Sequence, residues 1–260
     1  MTTTREGTPF SIPIQTRDVP QMLQRRPEET ILIALDVASL EQAKAVVQAV
    51  GERAIGYKVG SELFTRCGPA AVGFLKEQDK EVFLDLKFHD IPNTVAGAVA
   101  AAAELGVKML NVHASGGMEM MRAAARAAGE SESRPRVLAV TVLTSIDQTI
   151  LSEEVGCKRA LEEQVLNLAK LASAAGLDGV VASPKEITII RENLGPDFLI
   201  VTPGIRPAWA AKGDQKRVMT PAEALRAGAD YIVIGRPITA SPNPRDALER
   251  IIAEISESNS

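Results

Sequence analysis

The stretch FLDLKFHDIPNT, residues 83–94, sets Asp85, Lys87 and Asp90 within six positions at the end of an apolar run. With Glu81 and Val82 before it, the stretch reads as a strand giving way to a helix. Phe83, Asp85 and Lys87 leave such a strand on one face, and Val82, Leu84 and Leu86 on the other. The second face is apolar throughout, as expected where helices cover it. The first begins apolar and ends in opposite charges, which places those charges where the strand opens toward solvent.

The same grammar repeats along the chain. Short apolar or β-branched runs occur at ILIALD (31–36), AIGYKVG (54–60), EVFLDLK (81–87), KMLNVHA (108–114), RVLAVTVL (136–143), GVVAS (179–183), FLIVTPG (198–204) and YIVIGR (231–236). Helical patterns separate them. In KRALEEQVLNLAKLASAAG, Leu161, Val165, Leu168, Leu171 and Ala172 recur at helical spacing. Gly51, Gly106, Gly129, Gly176 and Gly228 read as helix ends, and the Ala-rich AVAAAAELG (98–106) as a tightly packed helix. Eight strands, each followed by a helix, match an α/β (β/α)8 TIM barrel. A doubly wound open sheet is the alternative, and the first strand lacks the GxGxxG of its dinucleotide-binding form. No linker divides the chain. Residues 28–256 are therefore expected to form one barrel domain and residues 1–27 an N-terminal extension with length for a helix across the barrel bottom. The final SESNS is expected to fray.

Composition narrows the function. The chain has 260 residues, 45% of them apolar and 24% charged, with a net charge of −4. That balance offers no broad attraction for nucleic acid or an anionic membrane, while leaving room for a local basic cluster that takes a small anion. Cys67 and Cys157 form no CxxC pair and no metal-like spacing, which points to a reduced, cytoplasmic setting. The polar, Pro-containing start has no apolar h-region. No apolar stretch reaches the length of about 18 residues that a membrane span needs.

In a barrel the reactive groups sit at the C-terminal ends of the strands. The polar residues there are Asp36, Lys58, Asp85, Lys87, Asn111, His113, Thr144, Ser145, Arg206 and Arg236, with Asp90 just beyond the third strand. Lys58 lies inside an apolar run, and an unpaired buried ammonium is costly, so it needs a carboxylate partner. Plainer readings stand beside these: Asp90 as a helix cap, and Asp85 with Lys87 as a structural ion pair. His89 and His113 read as packing or surface residues, not metal ligands. Gly235 and Arg236, with TPGIR upstream, offer a backbone N–H and a planar fork to an oxyanion, as the last two loops of many barrels do. The polar segment 204–219, containing Trp209, Lys212, Gln215, Lys216 and Arg217, reads as a lid or a mobile loop, with Gly204 and Gly213 as hinges.

Taken in order, ALD, YKVG, Asp85 followed by LKFHDIP, VTVLTS, TPGIRP, GDQKRVMTP and IGRPI resemble the orotidine 5′-phosphate decarboxylase family from about residue 30 to 250. The resemblance implies a homodimeric, cytoplasmic, cofactor-free and metal-free lyase of pyrimidine biosynthesis acting on a nucleotide. Lys87 matches the lysine that protonates the ring carbon, and Asp85 the carboxylate beside the substrate's own. Lys58 and Asp90 complete the charged row, with Asp90 donated to the partner subunit's site. Ile91 and Thr94 resemble residues that accompany that aspartate. Asp36 and Lys58 resemble ribose contacts, and Thr144 and the Pro203 backbone lie where the pyrimidine is held. Arg206, Gln215, Gly235 and Arg236 match the phosphate grip.

These residue types suit that chemistry. Loss of CO2 from a 6-carboxypyrimidine leaves an electron pair in the ring plane, where no adjacent π system absorbs it. An ammonium at that carbon both stabilises the pair and then quenches it. Three rivals stand beside this reading: a relative that uses the same D-x-K-x-x-D row to hold a divalent metal and an enediolate, a Schiff-base aldolase using Lys58 or Lys87, and a non-catalytic phosphoribosyl-binding protein.

Overall fold

The computed structural model describes residues 25–210 and 219–258. Eight strands form a closed parallel barrel in chain order: β1 (Ile31–Ala34), β2 (Gly56–Gly60), β3 (Glu81–Phe88), β4 (Met109–His113), β5 (Arg136–Val140), β6 (Gly179–Val181), β7 (Leu199–Thr202) and β8 (Tyr231–Ile234). Around them lie α1 (Pro27–Thr30), α2 (Leu40–Val50), α3 (Ser61–Cys67), α4 (Ala70–Glu77), α5 (Pro92–Glu104), α6 (Gly117–Glu130), α7 (Gln148–Glu153), α8 (Leu161–Ala174), α9 (Ile187–Leu194), α10 (Pro221–Arg226), α11 (Arg236–Thr239) and α12 (Pro244–Glu257). The expected (β/α)8 architecture is the one found. Among the described residues, no helix is long and apolar enough to cross a membrane.

Alternation along the strands sorts the core into two regions. Leu32, Ala34, Phe83, Met109, Leu138, Leu199, Val201, Tyr231 and Val233 fill the barrel interior. Ile31, Ile33, Val82, Leu84, Val112 and Ile200 face outward, in a larger cluster that includes Val47, Val99, Val165 and Ile251 of the surrounding helices. Interior space is tight where β6 meets β7. A Cβ on Gly179 would lie 2.2 Å from the Leu199 carbonyl oxygen, so only glycine fits there.

Helix ends follow local chemistry. Ser39 caps α2 by accepting the Gln42 N–H, and Gly51 closes it at φ +78°. Thr220 and Glu223 form a reciprocal capping box at α10. Gly106, Gly176 and Gly228 take positive φ after their helices, as expected. Gly129 departs from expectation: it lies inside the last turn of α6, which runs on to Glu130. In the terminal SESNS, α12 continues through Ser256 and Glu257, and residues 259–260 lie outside the described residues. Ile252 and Ile255 on its buried face carry the helix that far.

Several strands are shorter than the apolar runs that announced them. β5 stops at Val140 and β7 at Thr202, so Thr144 and Pro203 belong to loops above the barrel. The segment 204–219 is tied at its base: Ile205 bridges Met219, and the Arg206 N–H donates to the Met219 carbonyl at 3.1 Å. Trp209 lies under the Arg250 guanidinium of α12 at 4.2 Å. Gly213, Lys212, Gln215, Lys216 and Arg217 fall outside the described residues, as does most of the N-terminal extension. α1 straddles the expected boundary at residue 28, and its Glu28 is buried, within 3.5 Å of Arg53 and 3.6 Å of Arg26.

Two glycines test this packing. Gly179→Ala is expected to lower stability by about 1–3 kcal/mol through overpacking. Gly73→Ala, on the exposed side of α4 with nothing near its added Cβ, is expected to raise it by about 0.5–1 kcal/mol. Urea unfolding midpoints of the two variants check both signs.

Candidate active site

The C-terminal ends of the strands enclose a cavity of 460 Å³, within the range of roughly 300–1,000 Å³ usual for small-molecule sites. Its floor is the top of the barrel core, where Ala34, Phe83, Val181 and Val233 line it. Val140, Val142, Leu143, Ala182 and Ile205 add apolar wall, and the charged and polar groups stand among them.

A row of alternating charges crosses one side. Asp36 accepts a hydrogen bond from Lys58 Nζ at 2.8 Å through Oδ1. The same ammonium lies 3.4 Å from Asp85 Oδ2. Asp85 Oδ1 accepts from Lys87 Nζ at 2.7 Å. Lys58 therefore has its required partners, one on each side. Its side chain is 9% exposed and that of Asp85 13%, whereas Lys87 keeps 32% and opens to the cavity. Removing one member of such a buried pair typically costs about 3–5 kcal/mol, because the other is left uncompensated. Gly60 makes room for the row: a Cβ there would stand 2.9 Å from Lys58 Nζ and 3.1 Å from Asp36 Oδ1.

Five other expected residues line the same cavity: Thr144, Pro203, Arg206, Gly235 and Arg236. They arrive from the loops after β5, β7 and β8, so the fold unites groups up to two hundred positions apart, from Asp36 to Arg236. Asp90, Ile91 and Thr94 do not line it. All three are exposed, Asp90 and Ile91 just before α5 and Thr94 in its first turn, and Ile91 is 66% exposed. Asp90 does not cap α5, because its Oδ1 accepts the adjacent Ile91 N–H at 2.6 Å and the helix starts instead on Pro92. Gln215 lies outside the described residues.

Asn111 was visible in the sequence as a polar residue at the end of β4, without a role. It is fully buried, donates Nδ2–H to Asp85 Oδ1 at 2.7 Å and accepts the Lys87 backbone N–H at 2.8 Å. The signal that could have found it is its place in an apolar strand, since a buried amide must find partners. The apolar wall residues carried no such signal, because every barrel has apolar residues at these positions.

His113 stands beside the row, its ring centroid 5.4 Å from that of His89. Burial pushes its pKa below the ordinary 6.5, the charges of His89 and Lys87 push it further down, and Asp85 opposes them. Among the described residues, no cluster of three or more His, Cys, Asp or Glu could hold a metal ion.

Comparison with known proteins places this arrangement among relatives. The orotidine 5′-phosphate decarboxylase / HUMPS family matches over residues 29–251. Orotidine 5′-phosphate decarboxylase from Moorella thermoacetica is 56% identical over 240 residues, covering 90% of this chain and 95% of the relative. The protein of the same name from Nitrosococcus oceani is 56% identical over 226 residues, covering 87% and 97%. The crystal structure of orotidine 5′-phosphate decarboxylase from Lactobacillus acidophilus superposes with a TM-score of 0.77 at 41% identity, over 86% of this chain and 98% of that one. An uncharacterized conserved protein from Geobacillus kaustophilus matches with the same TM-score and identity, over 86% and 99%.

The depressed His113 pKa carries a pH dependence. With the folded value below the unfolded one, the unfolded chain binds more protons in the interval between them. Stability is therefore expected to fall as pH drops below about 6.5 toward the folded value. His113→Gln is expected to flatten that slope. Urea midpoints across the interval, with an NMR titration of the ring, check it.

Proposed function

The chain belongs to the orotidine 5′-phosphate decarboxylase / HUMPS family, and we propose that it is an orotidine-5′-phosphate decarboxylase, a carboxy-lyase that converts orotidine 5′-monophosphate to uridine 5′-monophosphate and CO2 in de novo pyrimidine biosynthesis. One observation carries the chemistry: the Lys87 ammonium, bonded to Asp85 at 2.7 Å, faces the cavity beside Lys58. The relatives' common name adds weight, since those 50–56% identical are orotidine 5′-phosphate decarboxylases.

The reaction needs no group beyond the chain's own. The bond between the ring carbon and its carboxylate breaks, CO2 leaves, and the electron pair stays on the ring carbon. Lys87 stabilises that pair and transfers one N–H proton to it, and water later returns a proton to the amine. Asp85 orients the ammonium, and its negative charge lies near the departing carboxylate. Lys58, held between Asp36 and Asp85, balances the carboxylates and with Asp36 contacts the ribose. Thr144 and the Pro203 backbone hold the pyrimidine. Arg206, Gln215, Gly235 and Arg236 bind the phosphate, whose remote binding energy serves to assemble the site.

Asp90 is assigned to the site of a second subunit in a homodimer. Support comes from its position three residues beyond Lys87, its exposure, its absence from its own cavity wall and the exposed apolar Ile91 beside it. The protein is placed in the cytoplasm.

Metal-dependent chemistry within the same family is the rival reading. Against it, Asp85, the first carboxylate of that row, is bonded to the Lys87 ammonium, and Asp90, the second, does not line the same cavity, which leaves the two poorly disposed to share a cation.

Following orotidylate absorbance with and without chelator tests the assignment: turnover is expected in both, and loss in chelator would move the chain to the metal-dependent branch. Lys87→Ala is expected to abolish turnover while a product nucleotide still binds in titration calorimetry. Asp85→Asn is expected to cost far more in kcat than in nucleotide affinity. For the shared site, Asp90→Ala and Lys87→Ala are each expected to be inactive alone. Mixed after dissociation they regain about a quarter of the parental activity, because half of the random dimers hold one intact site.

A further inference from the structure

The ladder between β3 and β4 is irregular. Phe83 pairs with Met109 and Leu84 with Leu110, but the next partner of β4 is Phe88, opposite Val112. Residues 85, 86 and 87 therefore stand against Asn111 alone. A bulge of this kind leaves ladder groups unpaired and bends the strand. Here it also puts Lys87 at φ +54°, in the left-handed region that residues with a Cβ avoid. The bulge keeps the alternation that the sequence predicts, with Asp85 and Lys87 on the cavity and Leu86 and Phe88 packed outward, while shifting the pairing register.

Asn111 bonds both sides of this distortion. Its Oδ1 accepts the Lys87 backbone N–H at 2.8 Å, the group that the interrupted ladder leaves over. Its Nδ2 donates to Asp85 Oδ1 at 2.7 Å, the same oxygen that accepts from Lys87 Nζ. The side chain is fully buried, so bulk solvent has no access to substitute for either bond. A buried amide serving packing alone would pair with whatever backbone lay nearest. This one joins the main chain of one charged residue to the carboxylate of the other.

We propose that Asn111 is a positioning residue for the decarboxylation: by holding Lys87 in its left-handed conformation and fixing the Asp85 carboxylate, it sets where the Lys87 ammonium meets the reacting carbon. The idea rests on the functional reading above. Displacing a catalytic group by about 1 Å can cost on the order of 100-fold in rate, which sets the expected effect.

Two variants test it. Asn111→Ala removes both bonds. Asn111→Asp keeps the size and the acceptor for Lys87 but loses the donor to Asp85. For Asn111→Ala, kcat for orotidylate is expected to fall on the order of 100-fold, with Asn111→Asp also impaired, while product-nucleotide affinity stays within about threefold, a split that general loosening of the site would not produce. Either folded variant turning over within about threefold of the parent overturns the proposal. So do equal losses in kcat and affinity, or failure of both variants to fold, which would make Asn111 a residue of the fold alone. A crystal structure of Asn111→Ala reads the geometry without activity. Lys87 is expected to leave positive φ or its contact with Asp85 to open, and an unchanged pair overturns the inference. Should the parent itself not consume orotidylate, the functional reading fails, and this crystallographic arm still decides whether Asn111 holds the pair.

Discussion

The Asp85 carboxylate organises this end of the barrel. Its Oδ1 receives Lys87 Nζ and Asn111 Nδ2, each at 2.7 Å, and its Oδ2 faces Lys58 Nζ at 3.4 Å. A carboxylate so withdrawn from water is tolerable only with donors on it. Two lysines are thereby held at fixed places, and Asp36 takes up the far side of Lys58. The result is an alternating row in which each charge compensates its neighbour, with one ammonium open to the cavity.

Such a row needs rigid support, and the barrel supplies it. The cavity floor and the top of the packed interior are the same side chains, Ala34, Phe83, Val181 and Val233. A change in core packing is therefore a change in the shape of the site. Parallel pairing sets β1, β2 and β3 side by side, so that Asp36, Lys58 and Asp85 meet although separated along the chain. Glycine at position 60 keeps the space they share open. The one register shift among the described strand pairings, opposite Asn111, falls at the residue on which the proposed chemistry turns.

Local chemistry explains what could be read without coordinates. Alternation in 82–86 assigned Val82 and Leu84 outward and Phe83 inward, and both assignments hold. The cost of burying Lys58 alone predicted a carboxylate partner, and it has two. The readings that failed were of boundaries. Gly129 looked like a helix end and is helical, because a glycine marks a terminus only where the chain must turn. Asp90 had the look of a cap, yet α5 begins on Pro92.

From the sequence alone came the barrel, its strand order and the identity of most cavity-lining polar groups, because apolar periodicity and the cost of buried charge act locally and leave marks on neighbouring residues. Tertiary structure decided the rest. That Asp85 accepts from Lys87 and Asn111 while facing Lys58, and that Asn111 matters at all, depend on register between strands. Register is set by the packing of the whole sheet, and a bulge of two residues alters it without any signature in the residues that it displaces.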